Sequence, residues 1–126
     1  VTDSGGLSDT QTFTIKVNNI NDPPFFTSTP GTQLTAGDEY RYDITVEDPD
    51  IGDSITNIES LLTLPTWLVL DYTSGATATL SGIPPTEEDA KAQYSISLRA
   101  TDNNGGYGYQ SFTLGMMNFY IPLIMR

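Results

Sequence analysis

Apolar and polar residues alternate along several stretches of the chain. Tyr40, Tyr42, Ile44 and Val46 are interleaved with Arg41, Asp43 and Thr45, the period-two pattern of a strand with one buried face and one wet face. The pattern recurs at Phe13, Ile15 and Val17, at Ala76, Ala78 and Leu80, at Tyr94, Ile96, Leu98 and Ala100, and at Phe112, Leu114 and Met116. Residues that form turns separate these runs, among them Asp22-Pro23-Pro24, Gly37-Asp38, Asp48-Pro49-Asp50, Ser74-Gly75, Pro84-Pro85 and Asn104-Gly105-Gly106. Short strands punctuated in this way predict an all-β, antiparallel Greek-key β-sandwich of about seven strands. Only Thr86 to Lys91 reads as helical. Thr86 is a fitting N-cap and acids fill the first turn, so a single helical turn is expected there.

Composition narrows the chemistry. The 126 residues contain no His and no Cys, which removes Ser-His-Asp and Cys-His nucleophiles, imidazole proton shuttles and every zinc site built from thiolates or imidazoles. Five basic residues stand against 16 acidic ones, for a net charge of −11. Nucleic acid is therefore not an expected partner, because phosphate binding draws on Lys and Arg. No continuous apolar run reaches the roughly 18–20 residues of a membrane span. The apolar stretch from Met116 to Met125 is shorter and is broken by Pro122.

One segment recurs within the chain. Thr2-Asp3-Ser4-Gly5-Gly6 followed by Gln11-Thr12-Phe13-Thr14 returns as Thr101-Asp102-Asn103-Asn104-Gly105-Gly106 followed by Gln110-Ser111-Phe112-Thr113. A constant 99 residues separates Asp3 from Asp102 and Phe13 from Phe112. That period fits a whole sandwich domain rather than a solenoid unit, and it implies a tandem array. Residues 1–22 are then expected to be the C-terminal strand and linker of a preceding repeat. Residues 23–118 form one complete domain, and 119–126 an apolar C-terminal tail. The same offset sets Asp22 against Ile121, so the corresponding acid is missing at the far end.

Several motifs resemble a known family. Asn19-Ile20-Asn21-Asp22-Pro23-Pro24 is similar to the linker between cadherin-type repeats, Asp48-Pro49-Asp50 to their Asp-x-Asp motif, and Ala100-Thr101-Asp102 to the Ala-x-Asp before the last hairpin. Leu64-Pro65-Thr66-Trp67-Leu68-Val69-Leu70-Asp71, with Ser74-Gly75, Leu80-Ser81-Gly82-Ile83-Pro84 and Tyr94, resembles dystroglycan-type cadherin-like repeats and the related putative-Ig repeats of large bacterial surface and secreted proteins. The resemblance covers about residues 19–116. It implies a cadherin/Ig-like extracellular module of an adhesive or matrix-binding protein, with calcium at the junctions between repeats.

The residues support calcium on their own account. Seven acids, Asp38, Glu39, Asp43, Glu47, Asp48, Asp50 and Asp53, lie within 16 positions that hold a single base, Arg41. Calcium takes about 6–8 hard oxygen ligands. In extended chain, residues two apart point the same way, so Asp48 and Asp50 aim together. A Greek key carries Asp102 to the same end as Asp48 and Asp50, where Asp22 already stands on the linker. Carboxylates that converge repel one another unless a cation joins them. The metal candidates are Asn21, Asp22, Asp48, Asp50 and Asp102, with Asn19 and Asp53 as further ones. Asp38, Glu39 and Asp43 read as solvated strand residues.

The expectation is a non-enzymatic Ca2+-binding repeat, outside the cell, that stiffens and spaces a large surface or secreted protein and supports adhesion. Its partners are neighbouring repeats, homophilic protein contacts or polysaccharide. The alternative is a carbohydrate-binding module, or an accessory domain of a polysaccharide-degrading enzyme. Tyr107 and Tyr109 would then be stacking platforms, and so would Trp67, whose ordinary use is core packing. Asp71-Tyr72-Thr73-Ser74-Gly75 lacks the spacing of an aspartic-protease loop and has no second copy.

Overall fold

The computed structural model describes residues 20–115. Seven strands and one short helix follow in the order β1 (Phe25–Phe26), β2 (Tyr40–Glu47), β3 (Ile55–Ser60), β4 (Leu68–Asp71), β5 (Thr77–Gly82), α1 (Glu87–Lys91), β6 (Tyr94–Asp102) and β7 (Tyr107–Leu114). They build two sheets, β1-β2-β5-β4 and β3-β6-β7. Every pairing is antiparallel. This is the expected sandwich with Ig-like architecture. Among the described residues no helix is long and apolar enough to cross a membrane. The expected strand at Phe13–Val17, Asn19, Met116 and the tail 119–126 lie outside the described residues.

The alternating stretches form the core. Tyr40, Tyr42, Ile44 and Val46 of β2 face Ile96, Leu98 and Ala100 of β6 across the sandwich, with Ala78 and Leu80 of β5 and Leu114 of β7 completing the buried set. Each fully buried aliphatic side chain contributes about 1.5–3 kcal/mol relative to exposure. Thr86 caps α1 as expected, its hydroxyl accepting the Asp89 amide at 3.1 Å.

Two strands escaped the alternation for physical reasons. In β3 the register against β6 shifts between Ile55 and Asn57. This bulge brings Ile55 and Ile58, three apart, to the same buried side and destroys the period of two. In β4 the unbroken apolar run ends at a sheet edge, so Val69 faces water while Leu68 is buried.

After β1 the chain leaves the first sheet and runs beside the second. Thr27 still bonds to Thr45 in β2 at 2.9 Å, but the Gly115 amide donates to the Thr32 carbonyl at 2.8 Å and Gln110 Nε2 to the Ser28 carbonyl at 2.9 Å. The Tyr42 hydroxyl bridges Ser28 and Gln110 at 2.7 Å each, tying both sheets to this crossover. The edge of β7 is thereby partly covered, as an edge strand requires.

Candidate metal centre

β2 and β6 both run toward the end of the sandwich where the chain enters. Ile55 in β3 pairs with Asp102, and Phe25 in β1 pairs with Glu47, the last residue of β2. The linker, the β2–β3 loop and the β6–β7 turn therefore meet. Gly108 makes the meeting possible. A Cβ there would lie 1.9 Å from the Pro24 carbonyl oxygen, so only glycine lets the linker lie against β7.

Asp102 anchors the site. It is 2% exposed, yet its carboxylate is well served: Oδ1 accepts the amides of Asn104 at 2.9 Å and Gly106 at 2.7 Å, and Oδ2 accepts Asn21 Nδ2 at 2.8 Å. Burial by itself would raise its pKa. The donors from Asn21, Gly106 and Asn104 outweigh it and hold the group below the ordinary carboxylate value. Gly106 is again a requirement of space, since a Cβ there would sit 2.6 Å from Asp102 Oδ2.

Asp48 is the opposite case. Its Oδ1 accepts the Asp50 amide at 2.8 Å, the local turn that an aspartate before Pro49 forms. Its Oδ2 is buried and has no hydrogen-bond partner. Burial, and then the hydrogen bond that its protonated form makes to the Asp102 carboxylate and the negative charges of Asp102 and Asp53, push its pKa above the usual value, against the opposing bond from the Asp50 amide. One oxygen each of Asp48, Asp53 and Asp102 lie within 4.8 Å of one another. Three carboxylates around one point, one with a buried oxygen that accepts from no donor, are oxygen donors of the kind a hard divalent cation takes.

The structure sorts the sequence candidates. Asp48, Asp102 and Asp53 come together. Asp50 and Asp22 stand beside them in another role: the Asp22 amide donates to Asp50 Oδ2 at 2.7 Å, latching the linker to the β2–β3 loop. Asn21 latches it to Asp102. Asn104 was missed by sequence reasoning. Its Nδ2 donates to Asp53 Oδ2 at 2.8 Å and to Asn21 Oδ1 at 3.4 Å, so it links loop and linker. Its segment, Asn103-Asn104-Gly105-Gly106, reads in the sequence as a turn and as part of the recurring stretch, neither of which points Asn104 at Asp53. Glu47, Asp38, Glu39 and Asp43 are exposed, and Asp43 pairs with Arg41 at 3.0 Å.

Trp67 is half-buried against the core and meets Tyr94 edge to face, with ring centroids 5.6 Å apart. Tyr107 and Tyr109 remain exposed on β7.

The model of the family described as Putative Ig domain matches residues 23–116. Among curated proteins, none is similar enough to count as a relative. Among solved structures, the endo-fucoidan hydrolase MfFcnA9 of glycoside hydrolase family 107 contains a similar fold, with a TM-score of 0.61 and 28% identity over 80% of this chain and 18% of that one. MfFcnA4 of the same family gives a TM-score of 0.59 and 27% identity over 80% of this chain and 16% of that one. The SrpA adhesin of Streptococcus sanguinis is similar in fold, with a TM-score of 0.59 and 18% identity over 79% of this chain and 59% of that one. The chain spans less than a fifth of the two hydrolases and under two thirds of the adhesin structure.

Proposed function

We propose a function for a chain that belongs to the Putative Ig domain family: a non-catalytic module that binds calcium at its linker end and so stiffens and spaces a larger surface or secreted protein. The observation that carries this reading is the trio of Asp48, Asp53 and Asp102, whose oxygens approach within 4.8 Å while Asp48 Oδ2 is buried without a partner. No donor of the chain reaches that oxygen, and its neighbours are two further carboxylates.

The roles divide among named residues. Asp102, fixed by three donors, supplies a permanent negative charge at the centre. Asp48 brings the unpaired oxygen, and Asp53 closes the group from the other end of the loop. Asn21 and the Asp22 amide hold the linker against Asp102 and Asp50. A calcium ion would add charge neutralisation and a cross-link between loop and turn, and the latched linker would pass that rigidity to the preceding repeat. Neighbouring repeats of the same polypeptide are then the immediate partners, and adhesion or matrix binding is the service of the whole array.

Thermal melting of the 126-residue chain tests this. A ligand at a hundredfold excess over its Kd adds about 2.7 kcal/mol, which is roughly 10–20 °C for a domain of this size. Calcium is expected to raise the midpoint of the wild type relative to chelator, and to leave Asp48→Asn unmoved. An unchanged wild-type midpoint sinks the metal reading.

A second reading rests on the two hydrolases, each far longer than this chain and over 25% identical to it in the matched part. On that reading the module is an accessory domain carried by a polysaccharide-degrading enzyme, with the chemistry elsewhere in the parent.

A further inference from the structure

The outer face of the β3-β6-β7 sheet carries a second constellation. Tyr107 and Tyr109 are 46% and 59% exposed, although aromatic side chains normally gain by burial. Two residues apart on one strand, they point to the same side. Their ring centroids are 6.4 Å apart and the planes are tilted by 58°. Cross-strand registry sets Arg99 beside Tyr109, and Glu59 beside Arg99. The Arg99 guanidinium lies 4.3 Å from the centre of the Tyr107 ring, and its Nε and Nη2 both donate to Glu59 Oε2, at 3.0 and 2.7 Å. The Tyr107 ring is thus backed by a braced cation.

Two residues further along the same strands, the face opens into a groove of about 450 Å³ lined by Leu62, Ser95, Ser97, Ser111 and Thr113. Arg99 and Glu59 cancel each other, so this face is electrically neutral in a chain of net charge −11. A basic partner is drawn to the acidic end instead, and an acidic one is repelled by the whole molecule.

We propose that this face binds a neutral polysaccharide chain. The apolar side of a sugar ring stacks on Tyr109 and Tyr107. Ring hydroxyls accept from Arg99 and donate to Glu59 Oε1, which takes no part in the ion pair, and the serine and threonine hydroxyls of the groove receive the next unit. Because the two rings are tilted, they suit a single twisting chain in solution better than the flat surface of a crystalline fibre. The site shares no ligating side chain with the calcium centre.

Affinity electrophoresis of the 126-residue chain in gels containing soluble β-glucan, xylan or galactomannan tests the proposal, with dextran sulfate as the charged control. At least one neutral polymer is expected to retard the wild type. Tyr109→Ala and Tyr107→Ala should each weaken binding about tenfold, the scale of one lost aromatic contact. Tyr109→Phe should keep the affinity, and all variants should keep the wild-type melting midpoint. Retardation by none of the three neutral polymers overturns the proposal. So does retardation by dextran sulfate alone, or retardation indifferent to the double Tyr→Ala variant. Sedimentation that shows a tyrosine-dependent dimer without sugar binding assigns the face to a second copy and overturns it too.

Discussion

Among the described residues two buried side-chain polar atoms lack a partner, one at each end of the sandwich, and they differ in what surrounds them. At the linker end the atom is Asp48 Oδ2, and at the other end it is Trp67 Nε1. Around Asp48 stand two more carboxylates, within 4.8 Å. Around Trp67 stands an aromatic neighbour, Tyr94, whose own hydroxyl is committed to the Asp89 carbonyl at 2.9 Å. An unpaired N–H in apolar surroundings costs a modest amount of stability. An unpaired carboxylate oxygen beside two like charges costs more, and its cost rises and falls with protons and cations. An orphan atom invites a cation only where negative charge accumulates around it.

Removing the anchor at the linker end has the largest expected effect. Asp102→Ala takes the acceptor from Asn21, from the Asn104 amide and from the Gly106 amide at once, and unlatches both linker and turn. Its melting midpoint in chelator should fall by on the order of 10 °C. A fall of one or two degrees would show that the linker end holds without its central carboxylate.

A smaller effect, of the opposite sign, is expected at Asp48. Its folded pKa lies above the unfolded value, so the folded chain holds that proton more tightly than the unfolded chain. Asp48 therefore costs stability at neutral pH, and the cost disappears as pH falls through the raised value toward the ordinary carboxylate range. Asp102, with a lowered pKa, contributes stability above the ordinary range and loses it as pH falls further. In chelator the wild type should gain stability on mild acidification before losing it, whereas Asp48→Asn should start a few degrees higher at pH 7 and show only the loss. Identical pH profiles for the two proteins, read by calorimetry, would contradict the assignment.

The Trp67 end, where no carboxylate stands beside the orphan atom, should respond least. Trp67→Phe removes the unpaired N–H and keeps most of the packing on Tyr94, so stability should change by about 1 kcal/mol or less. That change should be the same with calcium or chelator and the same across mild pH. A calcium-dependent difference at Trp67 would break the contrast between the two ends.

Much of this was legible beforehand. The strands with strict alternation, β2 and β6 above all, were readable because a half-buried strand has no other period. The helical turn was readable from Thr86 and the acids behind it. The β3 strand was not, since its bulge shifts the side chains out of phase. In the site, Asp48 and Asp102 were legible as aspartates at the ends of strands that must run the same way. Asn104 was not, because a residue in an Asn-Asn-Gly-Gly turn looks the same whether its amide faces water or a loop 51 positions away.

The sequence by itself determined the fold class, the alternating strands, the excess of negative charge and the end of the sandwich at which Asp22, Asp48, Asp50 and Asp102 lie. These follow from local pattern and from the two directions an antiparallel strand can take. Only the tertiary structure decided which carboxylates meet. It drew Asp53 into the centre and gave Asp50 and the Asp22 amide to the linker latch. It left Asp102 fully bonded and Asp48 one partner short. The physical reason is distance: electrostatic coupling depends on a few ångströms between loops far apart in the chain, and no local pattern encodes that spacing.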